Sequence, residues 1–146
     1  MRKRPIRQLG TSANPRSRAS AQTNAKKPER WRLGRVAEDA VVGWLKVRGI
    51  RVLGTNVRVN YLEVDILAQD GRTLVLVEVR TRSPRSWTSA LGSIDGWKRV
   101  RLRRAGERLW QRRFKYRQDL DHVRFDVASV SWNGSALEIE YVKAAF

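Results

Sequence analysis

Residues 61–82 constrain this fold more than any other stretch of the chain. Leu62, Val64 and Ile66 alternate with Glu63, Asp65 and Leu67, and the run from Thr73 to Arg82 is rich in valine and leucine. Period-two alternation puts successive side chains on opposite faces and marks a strand. Asp70-Gly71, lying between the runs, is a hairpin turn signal. Around this pair the spacing predicts a first helix over Trp31 to Val47, with Leu33, Ala37, Ala40, Val41, Trp44 and Val47 on its apolar stripe and Gly49 as its stop. A short strand follows over Arg51 to Val57. A long Arg-rich helix is expected from Ser93 to about Phe114, then strands over Val123 to Trp132 and Ala136 to Lys143 around Asn133-Gly134. The element order is α-β-β-β-α-β-β without internal repeat, which is an α/β domain.

At 146 residues the chain has room for one such domain and a tail. With no cysteine and one histidine, His122, it holds no disulfide, thiolate zinc site, cysteine nucleophile or His-rich metal cluster. No segment reaches the roughly 20 apolar residues of a membrane helix, so the expectation is a soluble, cytoplasmic protein without a membrane partner. The formal charge of +17 is the strongest bulk signal. Such a field attracts polyanions, which makes nucleic acid, DNA or RNA, the expected partner ahead of a merely solubilising surface. Residues 1–30 carry nine basic residues against Glu29, three prolines and few large apolar side chains, the composition of a disordered tail. A nucleic-acid-binding arm, an organelle transit peptide and an unselected extension are all open for it. The domain is expected over residues 31–146.

If Asp70-Gly71 are the two central turn residues, Gln69 pairs with Arg72 and Glu63 stands directly opposite Glu78. Asp65 and Arg80 then project from the same face, together with Leu67, Leu74 and Leu76. Opposed like charges ask for a cation between them, either a divalent ion or a basic side chain. Ligands that are all oxygen favour Mg2+ or Mn2+. The alternative is a solvated sheet face carrying three acids. On the long helix Lys98 falls at the centre of a stripe formed by Leu91, Ile94, Leu102, Ala105 and Leu109, and so points inward, toward the acids or as a stem covering apolar surface. Glu38 sits at the margin of the first helix's stripe, as a peripheral ligand or a boundary residue. Trp87, in the loop after the third strand, is the best candidate for base stacking.

Seven segments in order carry a family resemblance: Gly34-Arg35-Val36-Ala37-Glu38 with Ala40; Gly49-Ile50; Asn56 with Arg58; Leu62-Glu63-Val64-Asp65-Ile66; Val77-Glu78-Val79-Arg80 with Arg82; Lys98; and Arg124-Phe125-Asp126-Val127. Together they resemble the signature of the YraN-type family, over essentially all of Trp31 to Val130. The resemblance implies a restriction-endonuclease-like fold of the PD-(D/E)XK nuclease core, with a mixed central sheet flanked by helices. It also implies that Asp65 and Glu78 hold a metal ion, to which the reading of the residues adds Glu63 and Glu38 as further candidate ligands. Asp65, Glu78, Arg80 and Lys98 become the expected catalytic set, and Arg80, Arg82, Lys98, Arg101 and Trp87 the expected nucleic-acid contacts.

Two positions depart from the family pattern: Leu62 replaces a glycine and Arg80 a lysine. In nucleases of this core that lysine is thought to position or activate the attacking water, whereas arginine stays protonated and is no base. A metal-dependent nuclease, a non-catalytic binding module on the same core, and a basic assembly-associated protein are the three readings carried forward.

Overall fold

The computed structural model describes the backbone of residues 26–82 and 95–146, with side chains from residue 32 onward. Helix α1 spans Lys26–Val47, followed by strands β1 (Arg51–Val59), β2 (Leu62–Asp70) and β3 (Thr73–Arg82). Helix α2 spans Gly96–Leu109 and widens into a single π turn over Trp110–Phe114, after which β4 (His122–Asn133) and β5 (Ala136–Val142) complete the chain. This is the expected order. The five strands lie in the sequence β1-β2-β3-β4-β5. All neighbours are antiparallel except β3 and β4, which run parallel from Thr73↔His122 to Arg82↔Ser131. A parallel pair needs a crossover, and α2 lies within it.

Both helices cover the sheet, one on each face. Ala37, Val41 and Leu45 of α1 are fully buried against Ile66, Ala68, Val75, Val77, Ala128 and Val130. Ala105 and Leu109 of α2 pack on Leu67, Leu74 and Leu76, the alternate residues of the same strands. The α1 stripe differs from its spacing: Leu33 and Val47 are exposed, while Leu45, four residues on from Val41, is fully buried with Ala37 and Val41. The helix also starts five residues earlier than Trp31, with Pro28 in its first turn, where the missing N–H has no helical partner in any case.

The end of α1 is built from its sequence. Ile50 N–H bonds to Leu45 O and Gly49 N–H to Lys46 O, with Gly49 at φ +74°. This is the Schellman arrangement, and the buried Ile50 and Leu45 share one core cluster. On the other face α2 approaches β4 closely at Gly106, where an added Cβ would lie 2.7 Å from Phe125 Cζ.

The hairpin registers correct the sequence expectation. Asp70 pairs with Thr73, so the central turn residues are Gly71 and Arg72, with Gly71 at φ +59° in the first central position. The second hairpin does the same: Asn133 pairs with Ala136, and Gly134 has φ +64°. Asp70 stays in the strand because Arg124 and Lys143 hold its carboxylate at 2.9 and 3.3 Å, while Gln69 Nε2 donates to Gly71 O. The shift is two residues along the partner strand, which keeps Leu67, Leu74 and Leu76 together on their expected face, whereas Leu62 and Val64 join their cluster instead of siding with Ile66.

Candidate active site

The corrected register changes which acids meet. Pairing between β2 and β3 runs from Asp70↔Thr73 to Ile66↔Val77, so the next opposed residues are Asp65 and Glu78, and Glu63 is not the partner of Glu78. Here the two strands part. Asp65 Oδ2 accepts the Val79 backbone N–H at 2.8 Å, placing a side chain where a ladder bond would stand. Beyond this point β3 stays paired with β4 to Arg82, and β2 stays paired with β1 to Leu62, so the acids lie at the mouth of a fork in the sheet.

Glu78 is 2% exposed. Lys98 Nζ lies 2.6 Å from its Oε1, and Arg80 Nε lies 3.2 Å from the same atom. Its other oxygen, Oε2, is buried with no hydrogen-bond donor. Asp65 is largely desolvated and faces the charge of Glu78, and these two causes push its pKa up to about 7 against the opposing Val79 N–H and Lys98. Of the two alternatives for Lys98, the structure has its ammonium at the acids; Leu91 and Ile94 of the expected stripe lie outside the described residues. The Lys98 backbone is pinned by the helix cap, since Asp95 Oδ1 accepts Lys98 N–H at 2.7 Å.

The remaining expected residues fall in different places. Glu38 Oε2 accepts from Asn56 Nδ2 at 2.9 Å; burial first, and the charge of Asp65 among lesser causes, raise its pKa. Glu63 turns outward, 3.9 Å from Arg58 Nε. Arg82 pairs with Glu140 of β5 at 3.3 Å. Arg101 lines a cleft of about 330 Å³ with Tyr61, Glu63, Asp65, Lys98 and Leu102. Trp87 lies outside the described residues. The positioning roles of Asn56 and Asp95 do not emerge from the sequence pattern alone; Asp95-Gly96-Trp97-Lys98, a cap residue opening a helical run, is the signal for the second.

The donor set suits a hard divalent cation at the pair itself. Two carboxylates face each other, one of their oxygens is buried and without a donor, and burial together with its neighbour's charge raises the pKa of the other group to about 7. Among the described residues no three His, Cys, Asp or Glu side chains gather to hold a metal. The fit therefore rests on Asp65 and Glu78.

The family model for uncharacterised protein family UPF0102 matches residues 37–130, a span that contains Glu38, Asp65, Glu78 and Lys98. The chain belongs to this family. It is the YraN-type family that the seven segments resemble. Among relatives of this UPF0102 chain, the UPF0102 protein of Sorangium cellulosum is 47% identical over 116 residues, covering 78% of this chain and 80% of the relative. That of Moorella thermoacetica is 38% identical over 121 residues, covering 80% and 97%. That of Frankia casuarinae is 36% identical over 115 residues, covering 78% and 95%. No helix among the described residues of this UPF0102 protein is long and apolar enough to cross a membrane.

Proposed function

We propose that this UPF0102 protein is a nucleic-acid phosphodiesterase on a restriction-endonuclease-like core, acting with Mg2+ or Mn2+ held by Asp65 and Glu78. The observation that carries this reading is the ammonium of Lys98 at 2.6 Å from Glu78 Oε1. Position 80 lacks the lysine that such a site uses, and α2 delivers one to the same carboxylate from the other side. The topology supports the fold assignment: an antiparallel hairpin carrying both acids, a crossover helix, and a parallel fourth strand.

Each side chain then has a task. Asp65 and Glu78 are the ligands, and the ion they hold would polarise the phosphate and acidify a bound water. Lys98 sits where it can orient that water or contact the scissile phosphate. Arg80 stays a cation and clamps phosphate oxygens. Asn56 keeps Glu38 turned toward the site.

The test is incubation of the full chain with single- and double-stranded DNA and RNA in Mg2+, Mn2+ or EDTA. Metal-dependent cleavage is expected, abolished by Asp65→Asn and Glu78→Gln and lowered roughly 10²- to 10⁴-fold by Lys98→Ala. A second reading, a binding module that breaks no bond, is favoured by Arg80 alone. It would replace the first if the protein binds these substrates and cleaves none of them.

A further inference from the structure

Three concavities abut along one side of the molecule. The cleft at Asp65 and Lys98 is continuous through Tyr61 with a hollow of about 280 Å³, lined also by Arg58 and Asn60. That hollow continues through Arg58 and Asn60 into a third of about 170 Å³, lined by Arg108, Arg112 and Arg113. The π turn at the end of α2 breaks the helical spacing where Arg112 and Arg113 leave the helix. Arg112 Nη1 donates to Asn60 Oδ1 at 3.2 Å, tying this end of α2 to the β1–β2 turn. Arg108 Nη1 is buried with no acceptor, and the Arg108 guanidinium stands 5.6 Å from the Tyr61 ring centre. Among the described residues the one acid along the second hollow is Glu63, already facing Arg58.

Tyr61 is 68% exposed in the middle of this path, and Trp97, next to Lys98 in the first turn of α2, is 81% exposed. Neither ring contributes to a core cluster. Cationic grooves that follow a phosphate backbone and carry open aromatic faces are the means by which proteins hold unpaired nucleotides, each stacked base adding affinity without regard to sequence. A duplex keeps its bases stacked on one another and offers such rings nothing.

We propose that these three hollows form a track for a single strand leaving the Asp65–Glu78 site, with Arg58, Arg108, Arg112 and Arg113 on its phosphates and Tyr61 stacked on a base. The substrate class is thus nucleic acid with an unpaired stretch next to the bond addressed. This deepens the phosphodiesterase reading and depends on it only for which bond lies at the acids.

The experiment is fluorescence anisotropy of the full chain in EDTA with labelled oligothymidylate and with a duplex of equal length, across a salt series. The basic tail is present in every variant, so differences between variants report the track. Single-strand affinity should exceed duplex affinity, fall roughly 5- to 100-fold in Tyr61→Ala, and return in Tyr61→Phe. Replacing Arg108, Arg112 and Arg113 together by alanine should reduce the salt slope by about 2, as expected for three lost contacts to a single strand. Lys46→Ala, on α1, should change nothing. Duplex bound as tightly as single strand, or an unchanged affinity in Tyr61→Ala, overturns the track. Cleavage failing while this binding pattern holds sinks the phosphodiesterase reading alone; cleavage holding while the pattern fails sinks the track alone.

Discussion

Lys98 Nζ and Glu78 Oε1, one from a helix and the other from the strand beneath it, lie 2.6 Å apart at the mouth of the β2–β3 fork. Lys98 gives this buried carboxylate its closest cation. Replacing it by alanine leaves Glu78 to Arg80 and should cost about 1–2 kcal/mol, since Lys98 is itself partly exposed. Adding Glu78→Gln to Lys98→Ala should recover most of that loss. Urea melts of the four proteins in this cycle would show it, and additive losses would mean the two residues do not interact.

The second prediction concerns pH. Asp65 in the folded protein holds its proton up to about 7, against an ordinary value of 3.8. Between these values the folded state binds more protons than the unfolded one, so stability falls as pH rises, by about 1.4 kcal/mol per unit, and levels off above pH 7. Asp65→Asn should flatten the slope. Mg2+ should release protons on binding at pH 6 and few at pH 8.5, which calorimetry in buffers of different ionisation enthalpy would detect.

A third expectation follows from the cap of α2. Asp95→Ala removes the acceptor for Lys98 N–H and should destabilise by about 1 kcal/mol. Because the freed turn carries Lys98, cleavage should drop further than the stability loss explains. Asp95→Asn, which keeps a capping oxygen, should restore both.

On β4, level with Val77 and so one step along the ladder from Glu78, Asp126 is 1% exposed and accepts from Arg124 Nε at 2.9 Å, Tyr141 Oη at 2.7 Å and the Ala144 backbone N–H at 2.9 Å. Burial, then the charge of Asp126, pushes the Tyr141 hydroxyl well above its usual range. Asp126→Ala strands three donors and should cost roughly 3–5 kcal/mol, visible as a lower thermal midpoint. Relative to folded protein, binding at the Asp65 site should be unchanged.

Element order, the two hairpins and the inward aim of Lys98 are legible in the amino-acid sequence, because periodicity and turn residues act over a few positions of chain. Asp65 and Glu78 are identifiable there as neighbours on one face, since a two-residue change of register preserves the face. The register itself was decided from a distance. An X-Gly dipeptide serves with glycine in either central position of a turn, and the choice fell to Asp70's ion pairs with Arg124 and Lys143, residues more than fifty positions away. Tertiary packing likewise settled that Glu63 faces Arg58 and solvent, that Arg82 faces Glu140, and that Asn56 holds Glu38. The chemistry available at each position is written in its residue type. Which charges share a desolvated space depends on how the helices and strands dock, and no local pattern encodes that.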